Sequence, residues 1–223
     1  MKCQLTNYCK KYPGGCNRFC EGYVLIDILY KQSGIPKKYQ FPKELTVESI
    51  DSKVYQRVAN ILSSVVSWVN EGNSLMLFGE GKGTGKTTLA CSIANKYIRE
   101  TIQGNRFETN VYFIKTPKFL EQLRQQYDNK STAVDDLVKR VLTVPLLIID
   151  DIGAEKSTPW VRERLLSVID ERYSNELSTI YTSNCSIAQI SETLQDRIAD
   201  RLNDCEKLHF RGCSKRGVNF GGK

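Results

Sequence analysis

The sequence predicts an α/β fold in which a parallel sheet is covered by helices on both faces. Short apolar strands alternate with amphipathic helices, a glycine-rich loop joins the first strand to a helix, and a later strand ends in two acidic residues. Alternation predicts parallel strands, because each parallel connection needs a crossover that a helix supplies. A chain of 223 residues has room for one main domain and a small appendage.

The elements can be placed in order from hydrophobic periodicity. A short apolar stretch at about residues 22–31 is helix-like, and apolar residues at helical spacing predict a helix over about residues 51–70. Two later helix starts are marked by Thr158 before Pro159 and by the capping-box spacing of Ser186 and Gln189. The predicted strands span residues 74–78, 110–114, 145–150, 179–182 and 207–210, and the other predicted helices span 86–101, 117–127, 133–141, 159–176 and 187–203.

The formal charge is +7, with positive charge at the two ends of the chain and a net charge of about −3 between them. Residues 1–43 carry a net charge of +6 and residues 197–223 a net charge of +4, which suggests an anionic partner such as nucleic acid. Ordinary solvated charge is the alternative. No apolar run is long enough to span a bilayer, and the N-terminus has no apolar signal core. We therefore expect a cytoplasmic protein with no membrane partner.

The glycine-rich loop lies between the first predicted strand and a helix, where a phosphate-binding loop belongs. Its backbone N–H groups can point at phosphate oxygens, and the helix N-terminus adds partial positive charge. We expect Lys86 to contact the phosphates of ATP and the Thr87 hydroxyl to bind Mg²⁺. Glu80 stands where the usual pattern has glycine, and Gly79 precedes it, which fits a loop one residue longer. The nucleotide-binding residues predicted here are Gly81, Lys82, Gly83, Thr84, Gly85, Lys86, Thr87 and Thr88.

Polar residues also end two later strands. Asp150 and Asp151 follow an apolar strand, and ligands bind at the carboxyl ends of parallel strands. We expect Asp150 to hold Mg²⁺, and Asp151 to orient or deprotonate the water that attacks ATP. Asn184 ends the next strand and is a candidate to hold that water or to contact the γ-phosphate. A turn or helix-capping role is the alternative for Asn184.

Taken together, these motifs resemble the DnaC/DnaI/IstB branch of the AAA+ ATPases, and most of all a phage or mobile-element replicative helicase loader. The resemblance covers about residues 50–217, with a weaker match at residues 33–36. The matching strings are residues 83–90, 150–155, 160–163, 182–184, 196–202 and 214–216. It implies an ASCE-type P-loop NTPase with three α/β/α layers that hydrolyses ATP to ADP and phosphate, stimulated by DNA or a partner.

The resemblance also implies roles for three arginines. Arg201 matches the arginine finger, which reaches the ATP site of a neighbouring copy and therefore requires self-association. Arg216 matches the sensor-2 arginine, which contacts the γ-phosphate within the same subunit. Arg197 is a reserve candidate, and exposed helix arginines are the alternative for all three.

Many AAA+ proteins have glutamate in the place of Asp151, so the shorter side chain favours slow turnover.

The region at residues 112–129 matches a family segment that contacts single-stranded DNA. Basic and aromatic side chains suit sequence-tolerant binding of single strands. The basic candidates are Lys115, Lys118, Arg124 and Lys130, with the aromatic residues Phe119 and Tyr127 nearby. Phe119, Leu120 and Leu123 also fit an apolar stripe that faces the core.

Four cysteines crowd into the first 20 residues, namely Cys3, Cys9, Cys16 and Cys20. In a reducing cytosol this clustering suggests a metal site, and an all-thiolate zinc site is the leading reading. An iron–sulfur cluster and no metal at all are the alternatives. Some loaders of the family have an N-terminal zinc module that grips the helicase, so the resemblance makes residues 1–32 the candidate helicase-binding segment.

The predicted organisation is this Cys-rich segment (residues 1–32), a connector at residues 33–50 and an AAA+ ATPase domain at residues 51–223. The predicted function is that of a helicase loader, which delivers a replicative helicase to single-stranded DNA by using ATP binding and hydrolysis. One alternative is an IstB-like accessory ATPase of transposition, which would bind duplex DNA and a transposase. The other is a nucleotide-gated DNA-binding adaptor with little hydrolysis.

Overall fold

One sheet of five parallel strands organises the chain, with strand order β2-β3-β4-β1-β5. The computed structural model describes residues 20–40, 52–102, 108–129 and 132–211. The strands are β1 (Leu75–Phe78), β2 (Val111–Lys115), β3 (Leu146–Asp150), β4 (Ser178–Ser183) and β5 (Glu206–His209). The predicted strands are confirmed, with ends displaced by no more than one residue.

Nine α-helices and one 3₁₀ turn (Lys37–Tyr39) surround the sheet in the described part of the chain. The helices are α1 (Glu21–Gln32), α2 (Ser52–Ser63), α3 (Val65–Asn70), α4 (Lys86–Thr101), α5 (Thr116–Asn129), α6 (Thr132–Thr143), α7 (Pro159–Ser174), α8 (Ile187–Thr193) and α9 (Asp196–Asn203). None of the helices in these ranges is both long and apolar enough to cross a membrane.

The sheet separates two apolar cores, which makes the predicted three layers. One core packs α1 to α4 against one face of the sheet, with Leu75 and Leu77 pointing into it. The other core packs α5 to α9 against the opposite face, with Met76 and Ile149 pointing into it. Alternate residues of a strand face opposite sides, so each buried strand contributes to both cores.

Three helix regions differ from the expected arrangement. The single helix expected over about residues 51–70 is two helices, because the backbone leaves the helical conformation at Ser64 between α2 and α3. The predicted organisation places α1 in the Cys-rich segment, but its Ile26, Leu29 and Tyr30 are buried in the same core as α4 and the sheet. The structure therefore joins α1 to the main domain. The single helix expected over residues 187–203 is two helices, because Gln195 adopts an extended backbone between α8 and α9.

Two helices begin at the capping residues that the sequence predicts. Thr158 Oγ1 accepts a hydrogen bond from the N–H of Val161 at the start of α7. Ser186 and Gln189 form the expected reciprocal capping box at the start of α8. Both caps satisfy N–H groups that the first turn of a helix leaves without partners.

A fully buried arginine connects α7 to the amino ends of two strands. Arg172 is 0% exposed, and its guanidinium donates to the carbonyl oxygens of Val141, Val144 and Ser178 and to the hydroxyl of Thr179. Burial lowers the pKa of Arg172 to about 10, so the side chain stays charged at neutral pH. The five donors of a guanidinium suit this cluster of acceptors.

Candidate nucleotide site

The predicted site residues converge at the carboxyl edge of the sheet. The glycine-rich loop follows β1, Asp150 ends β3, and Asn184 follows β4. Since β4 lies between β1 and β3, the loop and the acid pair flank the end of β4. The loop and the three polar residues therefore belong to one site.

Lys86 begins α4 and points back into the loop. Its Nζ donates to the carbonyl oxygens of Gly79 at 2.7 Å and Gly81 at 2.9 Å, and to Thr84 Oγ1 at 3.2 Å. Burial lowers the pKa of this ammonium, and the charges of Asp151 and Asp150 oppose that shift. Phosphate oxygens are strong acceptors for such an ammonium, so Lys86 lies where the predicted phosphate contact requires a cation.

Gly79, which precedes Glu80, lies against the residue that follows β5. A Cβ on Gly79 would come within 2.1 Å of the carbonyl oxygen of Phe210, which no side chain can accommodate. The close approach occurs where the N–H of Phe210 donates to the carbonyl oxygen of Phe78 at 2.7 Å. A glycine is thus needed at position 79, one residue earlier than the usual pattern, because the end of β5 passes directly against it.

Thr87 and Asp150 make the contact expected of a magnesium site. Thr87 Oγ1 donates to Asp150 Oδ1 at 2.7 Å, and Thr182 Oγ1 donates to the same oxygen at 2.8 Å. Burial raises the pKa of Asp150, whereas the hydrogen bonds from Thr87 and Thr182 lower it. Hydroxyl and carboxylate oxygens are the ligands that Mg²⁺ prefers, so these residues fit the ion.

Asp151 is held in an unusual backbone conformation. Its φ of 60° lies in the left-handed region, which costs a residue with a side chain roughly 1–2 kcal/mol. Its N–H donates to Thr182 Oγ1 at 3.0 Å, Asn184 Nδ2 donates to its Oδ1 at 3.4 Å, and Lys115 Nζ lies 3.3 Å from its Oδ2. The carboxylate is therefore fixed beside Asp150, at the point where a base for the attacking water is expected.

Thr182 belongs to this site although its position in the sequence does not predict a site role. Its hydroxyl joins the side chain of Asp150 to the backbone of Asp151. Lys115 was predicted to contact DNA, yet it forms an ion pair with Asp151. Gly85 caps α4 with a φ of 107°, and Lys82 and Glu80 are exposed on the loop.

A family model described as IstB-like ATP binding protein matches residues 31–219. The chain belongs to this family. Among curated relatives, this IstB-like protein is 28% identical over 211 residues to the replicative helicase loader DnaI of Bacillus subtilis. It is 27% identical over 146 residues to the replicative helicase loader DnaC of Escherichia coli K12.

These matches cover 81% and 64% of the IstB-like chain, and 64% and 57% of the two relatives. The chain thus spans less than two thirds of the length of either loader. An insertion sequence ATP-binding protein of Sinorhizobium fredii is 28% identical over 155 residues, which are 67% of this chain and 59% of that protein. Both branches of the resemblance therefore have relatives among known proteins.

Solved structures confirm the predicted fold. A crystal structure of the DnaC helicase loader aligns with a TM-score of 0.61 and 26% identity, over 82% of this chain and 98% of that chain. A crystal structure of DnaI aligns with a TM-score of 0.63 and 19% identity, over 79% and 95% of the two chains. The AAA+ type of P-loop domain predicted from the motifs is thus the fold of this IstB-like protein.

Arg201 of the IstB-like domain lies on the far side of the sheet from the nucleotide site. It lines a cavity of about 200 Å³ together with Ser74, Thr179 and Glu206, which stand at the amino ends of β1, β4 and β5. The four residues of β1 alone separate the two edges by about 10 Å. Arg201 therefore cannot serve the nucleotide site of its own chain in this conformation.

Part of the predicted DNA-binding surface faces the core instead. Phe119 is 1% exposed and packs with Leu120 and Leu123, so its ring is unavailable to bases. Lys118 is exposed on α5, and the guanidinium of Arg124 lies 5.0 Å from the ring centroid of Trp160. The basic residues of α5 stay available at the surface, whereas the stacking role expected of Phe119 is wrong.

Several predicted residues lie outside the described part of the chain. These are Arg216, Lys130, Cys3, Cys9 and Cys16, and the side chain of Tyr127 is also outside it. Cys20 immediately precedes α1 and is a free, half-buried thiol. Among the residues that the structure describes, no group of three or more metal-binding side chains occurs.

Proposed function

We propose that this IstB-like protein is an ATPase that loads a replicative helicase onto single-stranded DNA in the cytoplasm. The observation that carries the proposal is the contact of Thr87 and Asp150, with Lys86 and Asp151 beside them, while Arg201 stands at the opposite edge of the sheet. Such a site can bind ATP alone but needs an arginine from elsewhere to complete it. The similarity to DnaI and DnaC supports a role in helicase loading.

In the proposed reaction, Lys86 and the N–H groups of the loop bind the phosphates of ATP. Asp150 and Thr87 would hold Mg²⁺, which would supply positive charge to the phosphates of ATP. Asp151, oriented by Thr182, accepts a proton from a water that attacks the γ-phosphorus, and Asn184 holds that water. The products are ADP and phosphate. Arg216 would contact the γ-phosphate within the same chain.

Arg201 would then complete the site of a neighbouring copy. A positive charge that reaches the transferring phosphate from a partner subunit is worth about 10³–10⁵ in rate. The position of Arg201, which cannot reach its own loop, supports a contribution between copies. The proposal therefore includes self-association, with each ATP bound at a junction between two chains.

Complementation between two inactive variants tests this arrangement. We expect Arg201→Ala and Lys86→Ala each to lose nearly all ATPase activity. A mixture of the two should recover roughly one quarter of the wild-type rate, because one junction in four joins an intact loop to an intact arginine. Arg197→Ala is the comparison, since it removes an arginine one turn away. An active Arg201→Ala variant would refute the shared site.

The proposed DNA surface is the exposed side of α5. Lys118 and Arg124 provide positive charge there, and binding through phosphates weakens as salt is added. We expect Lys118→Gln and Arg124→Gln to lower the affinity for a fluorescent oligo-dT and to make the salt dependence shallower. Lys31→Gln on α1 is the matched control, because its lysine lies on the other side of the sheet. Equal effects of all three variants would disprove the surface.

The Cys-rich segment is the proposed contact with the helicase, and it is the proposed metal site. Zinc is the first candidate, and an iron–sulfur cluster is the second. Elemental analysis of purified wild type and of Cys16→Ser decides between them by the metal and the ratio found. A purified protein that contains no metal but still binds its helicase would refute the metal site, and it would support the helicase contact.

The similarity to an insertion sequence ATP-binding protein supports a second candidate function, which is an accessory ATPase of transposition. That function predicts tighter binding to duplex than to single-stranded DNA. A comparison of the two at equal salt separates the candidates. A nucleotide-gated adaptor with little hydrolysis is favoured by the short Asp151, and turnover measured with single-stranded DNA present would distinguish it from either enzyme.

A further inference from the structure

Two residues of α7 hold the side chain of Arg201. Asp170 Oδ1 accepts a hydrogen bond from Arg201 Nε at 2.8 Å, and the ring of Tyr173 lies under the guanidinium with its centroid 4.3 Å away. Asp170 and Tyr173 are one turn apart on the same face of α7. The guanidinium of Arg201 is thus bound at its edge by a carboxylate and at its face by an aromatic ring.

The contact leaves the phosphate-binding part of the guanidinium unused by Asp170. The carboxylate accepts from Nε, whereas a planar fork binds phosphate through the nitrogens that point away from the chain. An arginine on a surface would otherwise sample many rotamers. Asp170 and Tyr173 restrict that sampling.

Asp170 serves two arginines at once. Its second oxygen, Oδ2, accepts from Arg197 at 3.2 Å, so both candidate arginines of α9 depend on one carboxylate. Tyr173 is fixed in turn, because its hydroxyl donates to Asp204 Oδ2 at 2.9 Å at the end of α9. The network therefore joins the last turns of α7 to α9 and fixes where Arg201 can point.

We propose that Asp170 is a positioning residue for Arg201, and that it presents this arginine, supported by the ring of Tyr173, to the nucleotide of a neighbouring copy of the chain. The inference rests on the proposed role of Arg201 between copies. Asp170 itself touches no nucleotide. The Arg201 and Asp170 side chains remain 36% and 25% exposed, and ion pairs that solvent reaches contribute little to folding. The effect of Asp170 should therefore be seen in turnover rather than in stability.

The first test is steady-state ATPase kinetics. We expect Asp170→Asn, which offers one acceptor oxygen instead of two, to lower kcat by about 10–100-fold, because small misplacements of a catalytic group have effects of that size. KM for ATP should be unchanged, since the arginine acts on the transition state. Glu171→Gln is the matched control, because it removes the same charge one residue away, where Glu171 contacts Asn175.

Tyr173 supplies a second comparison. Tyr173→Phe keeps the ring beneath Arg201 and should retain wild-type activity within about two-fold. Tyr173→Leu removes the ring and should lower kcat in the same direction as Asp170→Asn. A Leu variant as active as wild type would show that the ring does not support Arg201.

Mixing experiments locate the defect on one side of the junction. A mixture of Asp170→Asn with Lys86→Ala should recover activity, as the mixture of Arg201→Ala with Lys86→Ala does. The Asp170→Asn variant supplies an intact phosphate-binding loop, and the Lys86→Ala variant supplies a correctly placed Arg201. Arg201→Ala mixed with a Lys86→Ala/Asp170→Asn double variant should stay inactive, because the only complete loop then faces a misplaced arginine. The double variant with Glu171→Gln in place of Asp170→Asn should recover. A general folding defect would impair both mixtures.

Each result bears on a different claim. If Arg201→Ala mixed with the Lys86→Ala/Asp170→Asn variant recovers fully, Asp170 does not position Arg201, and the arginine keeps its role. If Asp170→Asn is more active than wild type, the carboxylate restrains Arg201 instead of presenting it, and the proposal is overturned. If Arg201→Ala alone is active, the proposed function fails first, and that failure is visible without any Asp170 variant.

Discussion

The hydroxyl of Thr87 donates to Oδ1 of Asp150 across 2.7 Å, although the two residues stand 63 positions apart in the chain. Thr87 follows the loop at the start of α4, and Asp150 ends β3. Their contact places a hydroxyl next to the phosphate-binding loop and a carboxylate of the acid pair close enough to be ligands of one Mg²⁺ ion. The predictions below test the contacts that keep this arrangement in place.

Asp150→Asn should abolish hydrolysis and raise the thermal stability of the protein free of nucleotide and Mg²⁺. Burial raises the pKa of Asp150 in the folded state, so its contribution to stability is present at low pH and is lost as pH rises through the folded pKa. At neutral pH the wild type therefore holds an unfavourable buried charge, which asparagine lacks. Each kcal/mol gained raises Tm by about 2–4 °C.

Melting curves at several pH values check the sign for Asp150. The difference in Tm between variant and wild type should shrink as pH falls towards the ordinary range of an aspartate. A variant less stable than wild type at neutral pH would contradict this account, because it would mean that the carboxylate is stabilising as a charge.

Thr182→Val should lower kcat strongly while leaving the fold intact. Valine matches the shape and the strand preference of threonine but cannot donate to Asp150 or accept from Asp151. We expect a loss of about 10–100-fold, as for other misplaced catalytic groups. Thr182→Ser keeps the hydroxyl and should retain most activity, and equal losses in both variants would show that the hydroxyl is not what matters.

Gly79→Ala should disrupt the loop more than Gly81→Ala does. The new Cβ at position 79 would lie 2.1 Å from the carbonyl oxygen of Phe210, so β5 or the loop must move. We expect Gly79→Ala to lose nucleotide binding and to destabilise the domain by at least about 1–3 kcal/mol. Denaturant unfolding and binding of a fluorescent ATP analogue measure the two effects, and unchanged stability of Gly79→Ala would contradict the contact.

Arg172→Met should be among the most destabilising single changes in the domain. Methionine fills similar space but leaves the carbonyl oxygens of Val141, Val144 and Ser178 buried without their donor. We expect a loss of about 3–5 kcal/mol by chemical denaturation, as when one side of a buried polar network is removed. Arg57→Met, which removes an exposed arginine of α2, is the control and should cost less than about 1 kcal/mol.

Much of the fold could be predicted because its strands and helices have recognisable patterns in the local sequence. Strands buried on both faces read as short apolar runs, and Thr158 and Ser186 are recognisable helix caps. The break between α8 and α9 was missed, since Leu194 and Ile198 continue an apolar pattern that crosses the extended residue Gln195. The attachment of α1 to the core was missed because its partners lie far away in the sequence.

The site was predictable where residue type and position in a strand determine the chemistry. Lys86, Thr87, Asp150 and Asn184 each follow a strand end or begin a helix. Thr182 was not recognised as a site residue, because a threonine inside a strand resembles an ordinary strand former. Only the pairing of β3 with β4 places its hydroxyl beside Asp150.

The contacts that Lys115 and Asp170 make escape prediction for a related reason. Each is a charged residue at an amphipathic position, where a solvent-facing role is the common outcome. Their meaning comes from partners on other elements, Asp151 for Lys115 and Arg201 for Asp170. Tertiary ion pairs of this kind leave no local signal in the sequence.

The two edges of the sheet give the domain a direction. One edge carries the loop and its acids, and the other carries Arg201. If every junction joins unlike edges, a row of copies has a head and a tail that cannot be exchanged, and an open row always ends in one unfinished site. A DNA strand also has two unlike ends. The two orientations in which such a row can lie along a strand are therefore not equivalent.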